Sequence, residues 1–103
     1  EPLPVVVRAV ETTESRGRMY RKARDSERAG TVLREATTRR LAAYLGLPAG
    51  TAPDLVAQAV AAATGRPLDE TRWLLWGQPP RTDTDLLDVA ARLAALEKEI
   101  RHS

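Results

Sequence analysis

Leu86, Val89, Leu93, Leu96 and Ile100 recur at spacings of 3, 4, 3 and 4. That period marks an α-helix that buries one face and exposes the rest. It predicts a helix over 83–101, opened by Thr82 to Thr84. Two heptads are short for a free-standing coiled coil, so the seam reads as a surface packed within the chain. The same rhythm recurs upstream. Asp25 or Ser26 is suited to cap a helix over 26–45, whose stripe is Ala29, Val32, Leu33, Ala36, Leu41, Tyr44 and Leu45, and Gly46 with Pro48 ends it. Thr51-Ala-Pro-Asp54 predicts a capped start for a helix over 52–64, burying Leu55, Val56, Ala59, Val60 and Ala63 before Gly65 stops it. A short helix over 67–76 is closed by Gly77, and Gln78-Pro-Pro-Arg81 forms a stiff linker. Thr51-x-x-Asp54-Leu55 echoes Thr82-x-x-Asp85-Leu86, which shared helix-start chemistry explains as well as duplication does.

The N-terminal part is less regular. Pro2-Leu-Pro-Val-Val-Val7 should be extended, because two prolines punctuate it and three β-branched residues disfavour helix. A basic helix over 8–23 follows, with Val10, Met19 and Tyr20 as its few apolar positions and Gly17 weakening it. At 103 residues the chain suits one core. That core draws on Ala, Leu and Val, with two Trp, two Tyr and no Phe. The expectation is an all-α single domain over 1–103: a compact bundle of four to five short helices with an extended Pro/Val N-terminal segment.

Charge is unevenly distributed. Residues 1–44 hold ten Lys/Arg against six Asp/Glu, a net of +4, and residues 45–103 hold six against eight, a net of −2. The formal total of +2 conceals a basic and an acidic part, and clustered charge bears on partners where a total does not.

Catalytic groups are scarce. The one histidine, His102, is penultimate, where chains fray, and a general base must be held within reach of its proton. With no cysteine there is neither a disulfide nor a thiolate metal site. Asp83, Asp85 and Asp88 read as complements to the positive end of the last helix rather than as a cation site. Gly46, Gly50, Gly65 and Gly77 are spaced as helix terminators, not clustered as a phosphate loop. The chain is therefore expected to be no enzyme, with no cofactor, no metal and no small-molecule substrate.

Binding is the alternative. Arg16, Arg18, Arg21, Lys22, Arg24 and Arg28 face only Asp25 and Glu27 over the same stretch. This run could be a solvated face paired in part by Glu11, Glu14, Asp25 and Glu27, a juxtamembrane segment meeting anionic lipid, or a phosphate-binding stripe with Tyr20 stacking on a base. Leu41-Ala-Ala-Tyr-Leu-Gly-Leu47 has the rhythm of a helix-turn-helix opening. However, the helix that would enter the groove, Asp54 to Thr64, has no Lys or Arg and begins with a carboxylate, so that reading fails. Trp73 and Trp76, three apart, read mainly as a lid on the core. Because Leu74 and Leu75 lie between them, one indole should stay partly exposed, and Trp76 joins the six cations as a candidate partner- or membrane-binding residue.

Several stretches carry a resemblance: Glu1-Pro-Leu-Pro-Val-Val-Val-Arg-Ala9, Glu11-Thr-Thr-Glu14 with Arg18-Met-Tyr-Arg-Lys22, Leu33-Arg-Glu-Ala-Thr-Thr-Arg-Arg-Leu-Ala42 and Leu74-Leu-Trp-Gly-Gln-Pro-Pro80. Together they resemble the C-terminal cytoplasmic tail of an actinobacterial membrane-protein family catalogued as domain of unknown function 4350. The resemblance implies a two-pass membrane protein, with this tail following the second span on the cytoplasmic side of the plasma membrane. The absence of a Met before Glu1 then marks a soluble fragment of a longer chain, and the early arginines fit the excess of Lys and Arg in cytoplasmic segments. The implied role is interaction, with an anionic lipid surface, a second copy as a homodimer, or a protein partner. One such partner is the MoxR-type ATPase whose genes commonly neighbour the family. Non-specific nucleic-acid binding through the same arginines is the alternative. The resemblance carries over no catalytic residue.

Overall fold

The structure, a computed structural model, describes the backbone of residues 4–102 and the side chains of residues 16–102. Among these there are four helices and no strand: α1 (Pro4–Tyr44), α2 (Pro53–Thr64), α3 (Leu68–Trp76) and α4 (Asp83–Arg101). The all-α expectation holds. Helix α4 matches its predicted bounds, and Val89, Leu93, Leu96 and Ile100 of its seam are buried. Thr82 caps it, its hydroxyl accepting a hydrogen bond from the Asp85 amide at 3.1 Å.

The two N-terminal helices predicted over 8–23 and 26–45 are one helix of 41 residues. A capping preference at Asp25 or Ser26 is worth about 1 kcal/mol, less than the run of backbone hydrogen bonds that a break would forfeit. Ser26 instead turns its hydroxyl across to α4, donating to Asp83 Oδ1 at 3.4 Å. The helix also takes in Pro4 to Val7, part of the segment expected to be extended. Proline at the first helical position loses no hydrogen bond, and the β-branched penalty is only tenths of a kcal/mol per residue. Residues 1–3 of that expectation, and Ser103, lie outside the described residues, as do the side chains of Val10, Glu11 and Glu14.

At its other end α1 stops as anticipated. Gly46 adopts φ 71°, its amide donates to Ala43 O at 3.1 Å and the Leu47 amide donates to Ala42 O at 2.9 Å. This pair of bonds satisfies carbonyls that the helix leaves open. A 41-residue helix is about 60 Å long, and the molecule measures 69 × 23 × 20 Å. Residues 26–102 form the bundle, and the preceding part of α1 projects from it as an arm.

The core joins Leu41 of α1, Val56, Ala57 and Val60 of α2, Leu74 and Leu75 of α3 and the α4 seam. Two stripes are rotated from expectation. On α1 the buried residues are Ser26, Gly30, Arg34, Thr37 and Leu41, whereas Ala29, Val32 and Tyr44 are exposed and Leu33, Ala36 and Leu45 half-buried. The cause is close approach: a Cβ on Gly30 would lie 2.6 Å from the ring of Pro80, so only a small residue fits where the linker crosses. On α2, Val56, Ala57, Val60 and Ala61 are buried, while Leu55 and Ala63 are exposed and Ala59 half-buried. Alanines on the inner face let the helices pack closely. The residue at the cap position of α2 is Ala52, and the Thr51 hydroxyl donates instead to Pro48 O at 2.6 Å, so the echo with Thr82 is one of sequence and not of capping.

Candidate interaction surface

The six predicted cations all lie on α1, where Arg16, Arg18, Arg21, Lys22, Arg24 and Arg28 are exposed. None makes an ion pair among the described residues, although Glu27 does, with Arg81 of the linker at 3.0 Å. The nearby acids therefore do little to neutralise them. Arg24 sits over the Tyr20 ring at 5.7 Å and donates to its hydroxyl at 3.4 Å, so this ring already has a cation on its face. At about 100° per residue, Arg21, Arg24 and Arg28 fall within about 60° of helix circumference, with Arg18 and Lys22 on one flank. Arg16 lies on the other flank, about 80° from Arg24. The expected single stripe is a basic collar around more than half of the helix.

Trp76 belongs to a different surface. It lines a groove of about 520 Å³ with Glu35, Thr38, Arg39 and Ala42 of α1, the turn at 48–51, Pro53, Val56 and Leu75. Both indoles are more open than a core lid requires, Trp73 at 43% and Trp76 at 50%. The inner face of α3 is supplied by Thr71, Leu74 and Leu75, which leaves the tryptophans outside.

The residue that pattern analysis passes over is Arg34. It is buried, its Nε donates to Leu74 O at 3.0 Å, Nη1 to Gly77 O at 3.1 Å and Gln78 O at 2.8 Å, and Nη2 to Trp73 O at 3.2 Å. Its guanidinium stacks over Trp73 at 5.6 Å. One side chain thus closes the C-terminus of α3: it takes the Leu74 carbonyl that helix geometry leaves unpaired, shares Trp73 O with the Gly77 amide, holds the carbonyls of Gly77 and Gln78 just beyond, and meets the negative end of the helix dipole. Burial pulls its pKa below the ordinary arginine value, and the guanidinium remains the cation that the carbonyls require. The available signal was positional: Gly30, Arg34, Thr37 and Leu41 recur at 4, 3 and 4.

Most acidic groups of α2 and α4 are engaged structurally. Asp83 accepts from Ser26, Asp85 sits in the capped first turn of α4, and Asp88 pairs with Arg92 at 3.1 Å. Asp54 and Glu99 lie below the usual carboxylate range because of hydrogen bonds from Arg72 and Arg66 respectively. Those pairs tie α2 to α3 and the α2–α3 turn to α4.

With this geometry in place, comparison with known proteins adds one relative. Over all 103 residues the chain is 42% identical to the "Uncharacterized membrane protein Rv3691" of Mycobacterium tuberculosis (strain ATCC 25618 / H37Rv). The chain is thus similar to part of an actinobacterial membrane protein, and it spans 27% of that relative's length. No protein-family model matches, so the finer family resemblance rests on the stretches quoted above. No solved structure matches either. Among the described residues, no helix is long and apolar enough to cross a membrane.

Proposed function

We propose that this chain is a non-catalytic interaction domain of a membrane protein, lying on the cytoplasmic side and meeting an anionic lipid surface through the basic arm of α1. The observation that carries this reading is the arm itself: five exposed cations, Arg16, Arg18, Arg21, Lys22 and Arg24, with no carboxylate partner among the described residues, on the part of α1 that projects from the bundle, and Arg28 exposed at its base. A Lys or Arg close to an anionic leaflet contributes about 1 kcal/mol, so a collar of this size suffices for reversible attachment. Similarity to a membrane protein supports the setting, and the excess of Lys and Arg in cytoplasmic segments supports the side. A non-catalytic role accords with His102 lying exposed where α4 ends.

Co-sedimentation with anionic against neutral vesicles, at low and high salt, tests this. Binding to the anionic set alone, lost at high salt and lost in Arg18→Ala/Arg21→Ala/Lys22→Ala, is the expected result. Absence of vesicle binding removes the lipid reading and turns attention to an acidic protein partner, for which a MoxR-type ATPase is the first candidate. Retention of a DNA or RNA duplex without vesicle binding supports nucleic acid instead.

A further inference from the structure

We infer that the groove beside Trp76 is the seat of a second copy of this chain, with two α1 helices crossing antiparallel about a two-fold axis level with the midpoint of Glu35 and Arg39. Glu35 and Arg39 stand one turn apart on the rim of the groove, and neither makes an ion pair or a side-chain hydrogen bond among the described residues. A two-fold interface presents the same patch from both sides, so it must be complementary to itself. A Glu and an Arg placed symmetrically about the axis meet that condition: each Glu35 faces the other copy's Arg39, twice over.

That choice fixes a register, and the register can be checked against residues not used to choose it. Opposed positions have numbers adding to 74, which places Val32 against the other copy's Ala42. Val32 is 60% exposed, an aliphatic side chain left outside the bundle, and Ala42 lines the apolar groove. The same register sets Arg28 against Gly46, where α1 ends and its last carbonyls carry the negative end of the helix dipole. Arg28, Val32, Glu35, Arg39 and Ala42 are spaced 4, 3, 4 and 3, the repeat of a helix seam, on the side of α1 away from Ser26, Gly30, Arg34 and Leu41. Charge, apolar fit and helix periodicity converge on one arrangement. Trp76, at the groove's edge, is covered in the process. This inference is independent of lipid binding, and its test is run without lipid.

Sedimentation equilibrium on the whole chain, from micromolar to near-millimolar concentration, is the measurement. The native chain is expected to reach the mass of two copies, and in Trp73→Phe the remaining Trp76 emission should move to shorter wavelength as it does. Glu35→Arg sets arginine against arginine and Arg39→Glu sets glutamate against glutamate, so each variant alone should sediment as one copy. An equimolar mixture of the two restores both opposed pairs and should recover the two-copy mass. Both positions are exposed, and a native circular-dichroism spectrum shows that neither variant has unfolded. A native chain that stays single at the highest concentration overturns the inference and leaves the groove to another partner. So does either variant pairing as well as the native chain, or a mixture that fails to associate.

Discussion

Helix α1 lives in two environments, and the contrast between them explains most of the molecule. From Ser26 to Leu41 one face is buried against α3, α4 and the linker, down to a glycine and an arginine with no exposed surface to spare. From Arg16 to Asp25 no described side chain is buried. Starting a helix is costly while extending one is not, so the packed half provides the nucleus from which the arm grows. The bundle therefore holds the arm's base in place, and the arm's side chains are left for whatever lies outside.

The largest test of that contrast is Arg34→Met. The carbonyls of Leu74, Gly77 and Gln78 lose the Arg34 donor, Trp73 O keeps only the Gly77 amide and the Trp73 ring loses its stacked cation, and unsatisfied acceptors make the change expensive, about 3 kcal/mol in urea unfolding. Arg34→Lys should recover little, because an ammonium cannot reproduce the fork. An unfolding midpoint that does not move in either variant would mean that the bundle is held to α1 by other means.

Two glycines in the same helix sharpen the comparison further, with opposite signs. Replacing Gly30 by Ala drives a Cβ to 2.6 Å from two atoms of the Pro80 ring, which cannot rotate away, so α1 and the linker must part. Overpacking outweighs the gain in helix propensity, and a net loss of about 2 kcal/mol is expected. Among the described residues, replacing Gly17 by Ala meets only Arg21 Nη1, at 3.9 Å. It should leave the unfolding midpoint alone and raise arm helicity in circular dichroism, by up to about 1 kcal/mol of propensity. Equal responses at the two sites would deny that the halves differ.

How much of this is legible in the chain depends on how local the cause is. Helix α4, with its cap at Thr82 and its seam of Val89, Leu93, Leu96 and Ile100, follows from spacing, as do the stops at Gly46 and Gly65. The missing break at Asp25 and Ser26 does not, because the side chain that looks like a cap is spent on Asp83, a residue 57 positions away. Hydropathy also misplaces the inner face of α1, since Gly30 and Arg34 are selected by the nearness of Pro80 and of α3's carbonyls rather than by apolar surface. The six exposed cations were visible as a run of charge. Their separation from Trp76 was not, because the bundle decides which side of α1 meets α3.

The smallest effect separates the two regions by pH. Asp54 and Glu99 have carboxyl pKa values depressed in the folded state by hydrogen bonds from Arg72 and Arg66. A depressed pKa contributes stability that is complete above the unfolded value, near 4, and is lost as pH falls through the folded one. The bundle should therefore weaken below about pH 5, modestly, because the pairs are exposed and salt screens them. Asp54→Asn with Glu99→Gln should flatten that acid slope, and added salt should flatten it in the native chain. The arm's arginines have no such pairing among the described residues, so vesicle binding by the arm should persist over the pH range in which these bundle pairs are lost. An acid slope unchanged in the double variant would remove Asp54 and Glu99 from the bundle's ties.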